Sequence, residues 1–233
     1  MRPETPPLVI AGASRGVGLA LARQERAIGR QVLALVRPSS DDSLLQEIGV
    51  TIVFGDALLP DDAARLFAEC PADCDVVSTI GGVSADGRRA DDEGNINLIE
   101  AAVQAGLRGR FLLVTSIGCG DMAPYRSERA IAAFGAAVDA KTRAEDHLRA
   151  SGLSWTVLRP GGLRSEPATG GGVLSRDPEL HGLINRADVA QLAQRILRDP
   201  TTTGNAFAAV DMNAAQSVNP LDPFPLYRLE AVP

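Results

Sequence analysis

Short apolar runs alternate with longer stretches whose apolar positions recur at helical spacing along most of the chain. The runs at 8–12, 31–36, 50–54, 75–80, 110–115, 154–158 and 205–210 predict strands. Stretches near 16–28, 40–48, 60–69, 88–105, 128–151 and 186–198 predict helices. Gly29, Gly49, Gly106 and Gly152 each follow a helical stretch, where a left-handed residue is wanted. Such alternation predicts an α/β fold, a Rossmann-type doubly wound parallel sheet flanked by helices.

Two regions break the pattern. Residues 161–183, "GGLRSEPATGGGVLSRDPELHGL", are rich in Gly, Pro and Ser and follow the end of a predicted strand, where ligands bind in such sheets. They are expected to form an irregular lid over a substrate. From Met212 to Pro233 the chain carries four prolines, which predicts an extended tail, draped over the body or mobile. The expected division is a dinucleotide-binding domain over 1–211, lid included, and a tail over 212–233. A chain of 233 residues suits one such core.

Composition narrows the classes. With 45% hydrophobic and 22% charged residues the chain can bury a core and stay soluble. No apolar run is long enough to cross a bilayer and "MRPETPP" lacks a leader's pattern, so a cytoplasmic location is expected and no membrane partner. A net charge of −6 without a basic run argues against nucleic acid. Cys70, Cys74 and Cys119 are odd in number and poorly spaced for a metal site or disulfide framework, and are read as packing thiols.

Candidate chemistry begins at "VIAGASRGVGLALA" (9–22), where a buried-strand pattern passes through three glycines into a helix. Gly12, Gly16 and Gly18, with Ser14, Arg15 and Val17 among them, suit a pyrophosphate: bare glycines allow the turn and the close approach, and a helix start favours an anion. A merely structural turn is the alternative. The next strand, "QVLALVRP", ends in Arg37 and not in an acidic residue that would hold a ribose 2′-hydroxyl. Arg37 and Arg15 together suit a 2′-phosphate, so NADP(H) is preferred over NAD(H). Solvated loop arginines are the competing reading.

Beyond the glycines, "FGDALLPD", "STIGG", "NINLIEAAVQAGLRGRFLLVTSIG" and "AKTRAEDHLRASGLSWTVLRPGGL" resemble the short-chain dehydrogenase/reductase superfamily from Leu8 to about Val210. More closely the chain is similar to its atypical NAD(P)H-binding branch, which includes biliverdin reductase B-like and NmrA-like proteins. The resemblance implies that Asp56, with Ala57 beside it, meets the adenine. It implies that the backbone of Ile80, Gly81 and Gly82 lines the cofactor, that Thr115 and Ser116 end the fifth strand at the site, and that Pro160, Gly161 and Gly162 follow the sixth. Lys141 matches the superfamily's lysine.

One position departs. The superfamily's usual site pairs that lysine with a tyrosine four residues earlier, whose lowered pKa makes it the general acid; here that position is Ala137. Tyr125 lies sixteen residues before Lys141 and is expected in a loop, from which it would have to fold back. Ser116 could hydrogen-bond a substrate carbonyl or simply cap the strand end. Lys141 could bind the nicotinamide ribose or pair with Glu145 at i+4. His181 in the lid is a second candidate proton donor, His147 reads as structural or solvated, and Asp121 as a turn residue.

Two functions remain open. One is an NADPH-dependent reductase handing hydride to a conjugated small molecule of flavin, tetrapyrrole or quinone type, which needs less acid assistance than a ketone. The other is a non-catalytic NADP(H)-binding regulator, redox sensor or assembly scaffold, contacting a protein through its lid or tail. The oligomeric state is not legible. Arg37→Asp is expected to weaken NADPH binding much more than NADH binding in parallel titrations; equal losses would remove Arg37 from the 2′-phosphate site.

Overall fold

A computed structural model describes residues 5–226; residues 1–4 and residues 227–233 of the predicted tail lie outside the described part. Along the chain run β1 (Leu8–Ala11), α1 (Gly16–Ala27), β2 (Val32–Val36), α2 (Ser43–Glu47), β3 (Thr51–Phe54) and α3 (Pro60–Ala68). Next come β4 (Asp75–Ser78), α4 (Asn95–Gln104), β5 (Arg110–Val114), α5 (Glu128–Ala150) and β6 (Ser154–Pro160). The last third holds β7 (Gly162–Arg164), β8 (Gly172–Ser175), β9 (His181–Asn185), α6 (Arg186–Arg198), β10 (Ala206–Asp211) and β11 (Ala215–Gln216).

The main sheet has eight strands in the order β3-β2-β1-β4-β5-β6-β10-β8. All neighbours are parallel except β8, which runs antiparallel to β10 at one edge. Chain order reverses across β1, with β2 on one side and β4 on the other, so the connections leaving β1 and β4 diverge and open a crevice at their C-terminal ends.

Alternation along each strand feeds two cores. Leu8 and Ile10 of β1 join Val17, Leu21, Ile196 and Phe207 on the face covered by α1 and α6, whereas Val9 and Ala11 join Leu66, Phe67, Leu98, Phe111 and Leu148 on the face covered by α3, α4 and α5. Helices on both faces explain why the strands read as apolar runs and not as alternating patterns.

Every predicted strand and helix forms, most of them a little shorter. The predicted helix at 88–105 is interrupted: a π-helical turn over Ala90–Gly94 precedes α4. The lid differs from the irregular loop expected. It contains β7 and β8 and the start of β9, because partners distant in sequence supply the ladder bonds: β8 pairs with β10, while β9 lies between β7 and β11 in a second, three-stranded sheet. Glycine-rich segments carry little strand propensity of their own, so tertiary pairing decides them. The base of the lid is held by Asp188, whose carboxylate accepts the N–H groups of Thr169 (3.0 Å) and Gly170 (2.8 Å), and by the Thr169 hydroxyl bonded to Asp211.

The described part of the tail drapes over the body. Phe224 packs against Phe207 with the rings tilted at 54° and a centroid distance of 4.7 Å, and its N–H donates to the Leu174 carbonyl at 2.7 Å.

Gly18 is where the packing of α1 is tightest. A Cβ there would sit 2.2 Å from the Gly12 carbonyl oxygen and 2.9 Å from the Thr79 hydroxyl, so α1 can approach β1 only without a side chain at that position. Gly18→Ala is expected to cost about 1–3 kcal/mol of stability in urea unfolding, the usual range for overpacking, together with a loss of NADPH affinity as the turn shifts.

Candidate functional site

At the C-terminal ends of β1, β4, β5 and β6 lies a cleft of about 1140 Å³. The expected site residues line it, Gly18 excepted, which is buried beneath the turn.

The turn after β1 builds one end. Gly12 and Gly16 hold φ of +89° and +61°, conformations that L side chains rarely adopt, and a Cβ on Gly12 would also meet Thr79 Oγ1 at 2.6 Å. Arg15 occupies the N-cap of α1 without a side-chain cap, and the first turn of the helix carries no acidic residue. Its free N–H groups and the positive end of its dipole therefore face the cleft unneutralised. Arg15 and Arg37 are exposed, and neither guanidinium has an ion-pair partner among the described residues. An extended anion fits this end. The neighbouring stretch is shaped by Asp56, whose Oδ1 accepts the Leu58 N–H at 3.0 Å and whose own N–H donates to Asp62 Oδ2 at 2.7 Å.

The middle of the cleft is built around a charge pair. Lys141 Nζ lies 2.9 Å from Asp91 Oδ1, and Asp91 Oδ2 accepts the Gly82 N–H at 3.1 Å. The lysine side chain is 17% exposed and the aspartate 3%. A Cβ on Gly81 would meet Asp91 Oδ1 at 2.6 Å and Lys141 Nζ at 2.9 Å, so the "IGG" glycine makes room for the pair. The alternative pairing of Lys141 with Glu145 is not what forms. Glu145 turns into the protein, where it accepts from Thr115 Oγ1 (2.7 Å), Arg159 Nε (3.1 Å) and Nη2 (2.7 Å), and Arg149 Nη2 (3.0 Å). The arginine of the "RPGG" stretch thus claims the carboxylate that i+4 spacing assigned to the lysine. Thr115 lines the cleft while its hydroxyl is committed to Glu145.

Asp91 escaped the sequence reading because "ADDEG" looks like a solvated acidic helix start. The π-helical turn that buries it leaves no mark in the pattern.

Candidate reacting groups surround the far end. Ser116 is half-buried and its hydroxyl makes no hydrogen bond among the described residues. Strand-end capping is done instead by its carbonyl, which accepts the Cys119 N–H at 3.3 Å. Tyr125 ends a 3-10 turn (Gly120–Tyr125) and does fold back to the cleft, 44% exposed. His181 also lines it; Nδ1 lies 2.8 Å from the Glu179 carbonyl and so carries a proton, which leaves Nε2 uncommitted. His147 is on the outer surface beside Glu100, and Asp121 pairs with Arg159. Among the lining residues that the sequence reading missed are Arg186 and Phe134. Arg186, at the start of α6, donates to Ser165 Oγ (2.8 Å) and the Leu163 carbonyl (3.3 Å) and passes over Gly16. Phe134 of α5, 67% exposed, makes an apolar rim with Val83 and Leu163. In the sequence both look like ordinary helix-surface residues. Among the described residues no cluster could hold a metal ion, and no helix is long and apolar enough to cross a membrane.

Comparison with known proteins points to the same class of ligand. Residues 12–200 match a family model described as NAD(P)H-binding. The solved structure of ChuY, an anaerobilin reductase from Escherichia coli O157:H7, superposes with a TM-score of 0.82 at 34% identity, covering 92% of this chain and all of that one. An uncharacterised sugar epimerase of Bacillus subtilis, YhfK, is 32% identical over 76% of this chain and 80% of its own length. The photosystem II assembly factor Ycf39 of Guillardia theta is 27% identical over 67% of this chain, which spans 46% of that protein.

Glu145 and Arg159 are buried, and removing one partner leaves the other charge unpaired. Glu145→Ala is expected to cost about 3–5 kcal/mol in chemical unfolding. Cofactor affinity per folded molecule should change little, since Lys141 keeps Asp91.

Proposed function

The chain belongs to the NAD(P)H-binding family, and from that membership we propose that it is an NADPH-dependent reductase of a conjugated small molecule, of flavin, tetrapyrrole or quinone type. The observation that carries this reading is the continuity of the cleft: the anion-binding turn runs without a wall into the space under Phe134, Val83 and Leu163. A cleft of about 1140 Å³ has room for a dinucleotide and a second, flat molecule. The likeness to ChuY, by name an anaerobilin reductase, supports the acceptor class.

Bound NADPH supplies a hydride. In this reading the turn at Gly12, Ser14, Gly16 and Val17 holds the pyrophosphate, with Arg15 and Arg37 on the 2′-phosphate. Asp56 and Ala57 meet the adenine. The backbone at Ile80–Gly82 and at Pro160–Gly162 flanks the cofactor. Lys141, anchored by Asp91, reaches the ribose nearest the reacting carbon. Ser116 offers its free hydroxyl to a carbonyl of the acceptor. The accompanying proton comes from solvent, from Tyr125 or from His181, whose second proton would sit on the uncommitted Nε2. Delocalisation over a conjugated acceptor lowers the demand for an acid, which makes Ala137 tolerable where the superfamily has tyrosine. The cytoplasmic setting belongs to the same proposal.

A second reading, a cofactor-holding assembly factor, draws on Ala137 and on the likeness to Ycf39. NADPH oxidation against flavins, biliverdin and quinones separates the two. The reductase reading expects saturable oxidation with at least one acceptor, lost in Arg37→Asp. It expects Lys141→Ala to lower turnover beyond its effect on cofactor affinity. Tight NADPH binding without turnover on any of them would favour the assembly role, and an unchanged rate in Lys141→Ala would leave the lysine a structural partner of Asp91.

A further inference from the structure

At the opposite end of the sheet from the cleft, the turn between α3 and β4 brings two thiols together. Cys70 follows the end of α3 and Cys74 immediately precedes β4. Their sulfurs are 3.4 Å apart, with the Cys74 S–H directed at Cys70 Sγ. The spacing looked unsuited to a disulfide framework, yet the turn folds four residues of separation into contact. A disulfide needs about 2.0 Å between sulfurs, a closure within reach of side-chain rotation and a small backbone adjustment.

The two cysteines are not equivalent. Cys70 is half-buried, whereas Cys74 is fully buried in the core beside Phe67 and Ala102. The backbone of Cys74 is held fast: its N–H donates to the Pro71 carbonyl at 3.0 Å, and Gly109 packs so closely that a Cβ there would overlap the Cys74 carbonyl oxygen at 1.9 Å. Any movement that joins the sulfurs therefore comes from the Cys70 side, which is also the side a reagent can reach.

We propose that Cys70 and Cys74 form a reversible dithiol–disulfide site that reacts with low-molecular-weight disulfides, apart from the cofactor cleft. The Cys70 thiolate attacks one sulfur of a disulfide R–S–S–R, forming a Cys70–S–S–R bond and expelling R–S⁻. Cys74 Sγ then attacks Cys70 Sγ, the second R–S⁻ departs, and the protons of the two thiols end on the two released R–SH molecules. Both cysteines are oxidised and the small disulfide is reduced, so electrons and protons balance. The roles follow from the contact: the S–H donated by Cys74 holds the Cys70 thiol below the ordinary range. The same hydrogen bond, burial and the nearby Asp75 and Asp73 push Cys74 up, which makes it the resolving partner. Cys119 takes no part. It is buried, bonded to the Val138 carbonyl at 3.5 Å, and burial pushes its thiol up to about 11.

The test uses the full chain, reduced and then exposed to excess oxidised glutathione, followed by thiol titration in denaturant, intact mass and peptide mapping. The three titratable thiols are expected to fall to one, with a mass loss of two hydrogens and a mapped Cys70–Cys74 bond that dithiothreitol reverses. Cys74→Ser is expected to stop at a glutathione adduct on Cys70, and Cys70→Ser to gain neither bond nor adduct. Three persistent thiols, or a bond that includes Cys119, would overturn the proposal, and the wild-type measurement decides this even if a variant fails to fold.

Discussion

The close contact of the end of β1 with the start of α1 is the constraint from which the rest of the site follows. Thr79, at the end of β4, donates its backbone N–H to the Ala11 carbonyl at 2.9 Å and its hydroxyl to the carbonyls of Ala11 and Gly12 at 3.2 and 3.1 Å. Gly12 and Gly18 have no room for a side chain beside it. With β1, β4 and α1 locked at this corner, the N-terminus of α1 must point across the crevice where the strand order reverses. An anion there meets free N–H groups, a helix dipole and the Arg15 side chain without further rearrangement.

Around this corner the charges divide into two families with different work. Glu145, Arg159 and the bonded Thr115 form a buried cluster that ties α5 to the sheet. Such clusters are costly to break and add little net stability when intact, so their value lies in fixing orientation. Lys141 sits at the cleft wall with Asp91 buried behind it, and there the carboxylate steadies the ammonium group. The two families share helix α5 and are one turn apart. Arg159 separates them by drawing Glu145 inward.

The lid and tail are stabilised from outside their own sequence. β8 is an added edge strand on β10, β9 is flanked by β7 and β11, and Asp188 and Asp211 grip the turn at Thr169. Arg186 bonds β7 and Ser165 while lying over Gly16, so the lid is joined to the glycine turn across the cleft.

By itself the sequence determined the parallel sheet, its helices and the glycine turn, because burial on both faces imposes apolar runs and a close backbone approach imposes glycine. It also pointed to Lys141 and Ser116, which the fold brings to one cleft, the lysine from within α5 and the serine from just past β5. What it left open was settled by contacts between distant segments. Whether Lys141 pairs with Glu145 or Asp91 depends on Arg159 and on one extra residue in a helical turn. Strands in a glycine-rich lid depend on partners about twenty to forty residues away, and two cysteines that looked unrelated depend on how a turn closes before β4. Local periodicity reports which faces are buried; it carries no information about which buried polar groups will meet, and that choice belongs to the tertiary fold.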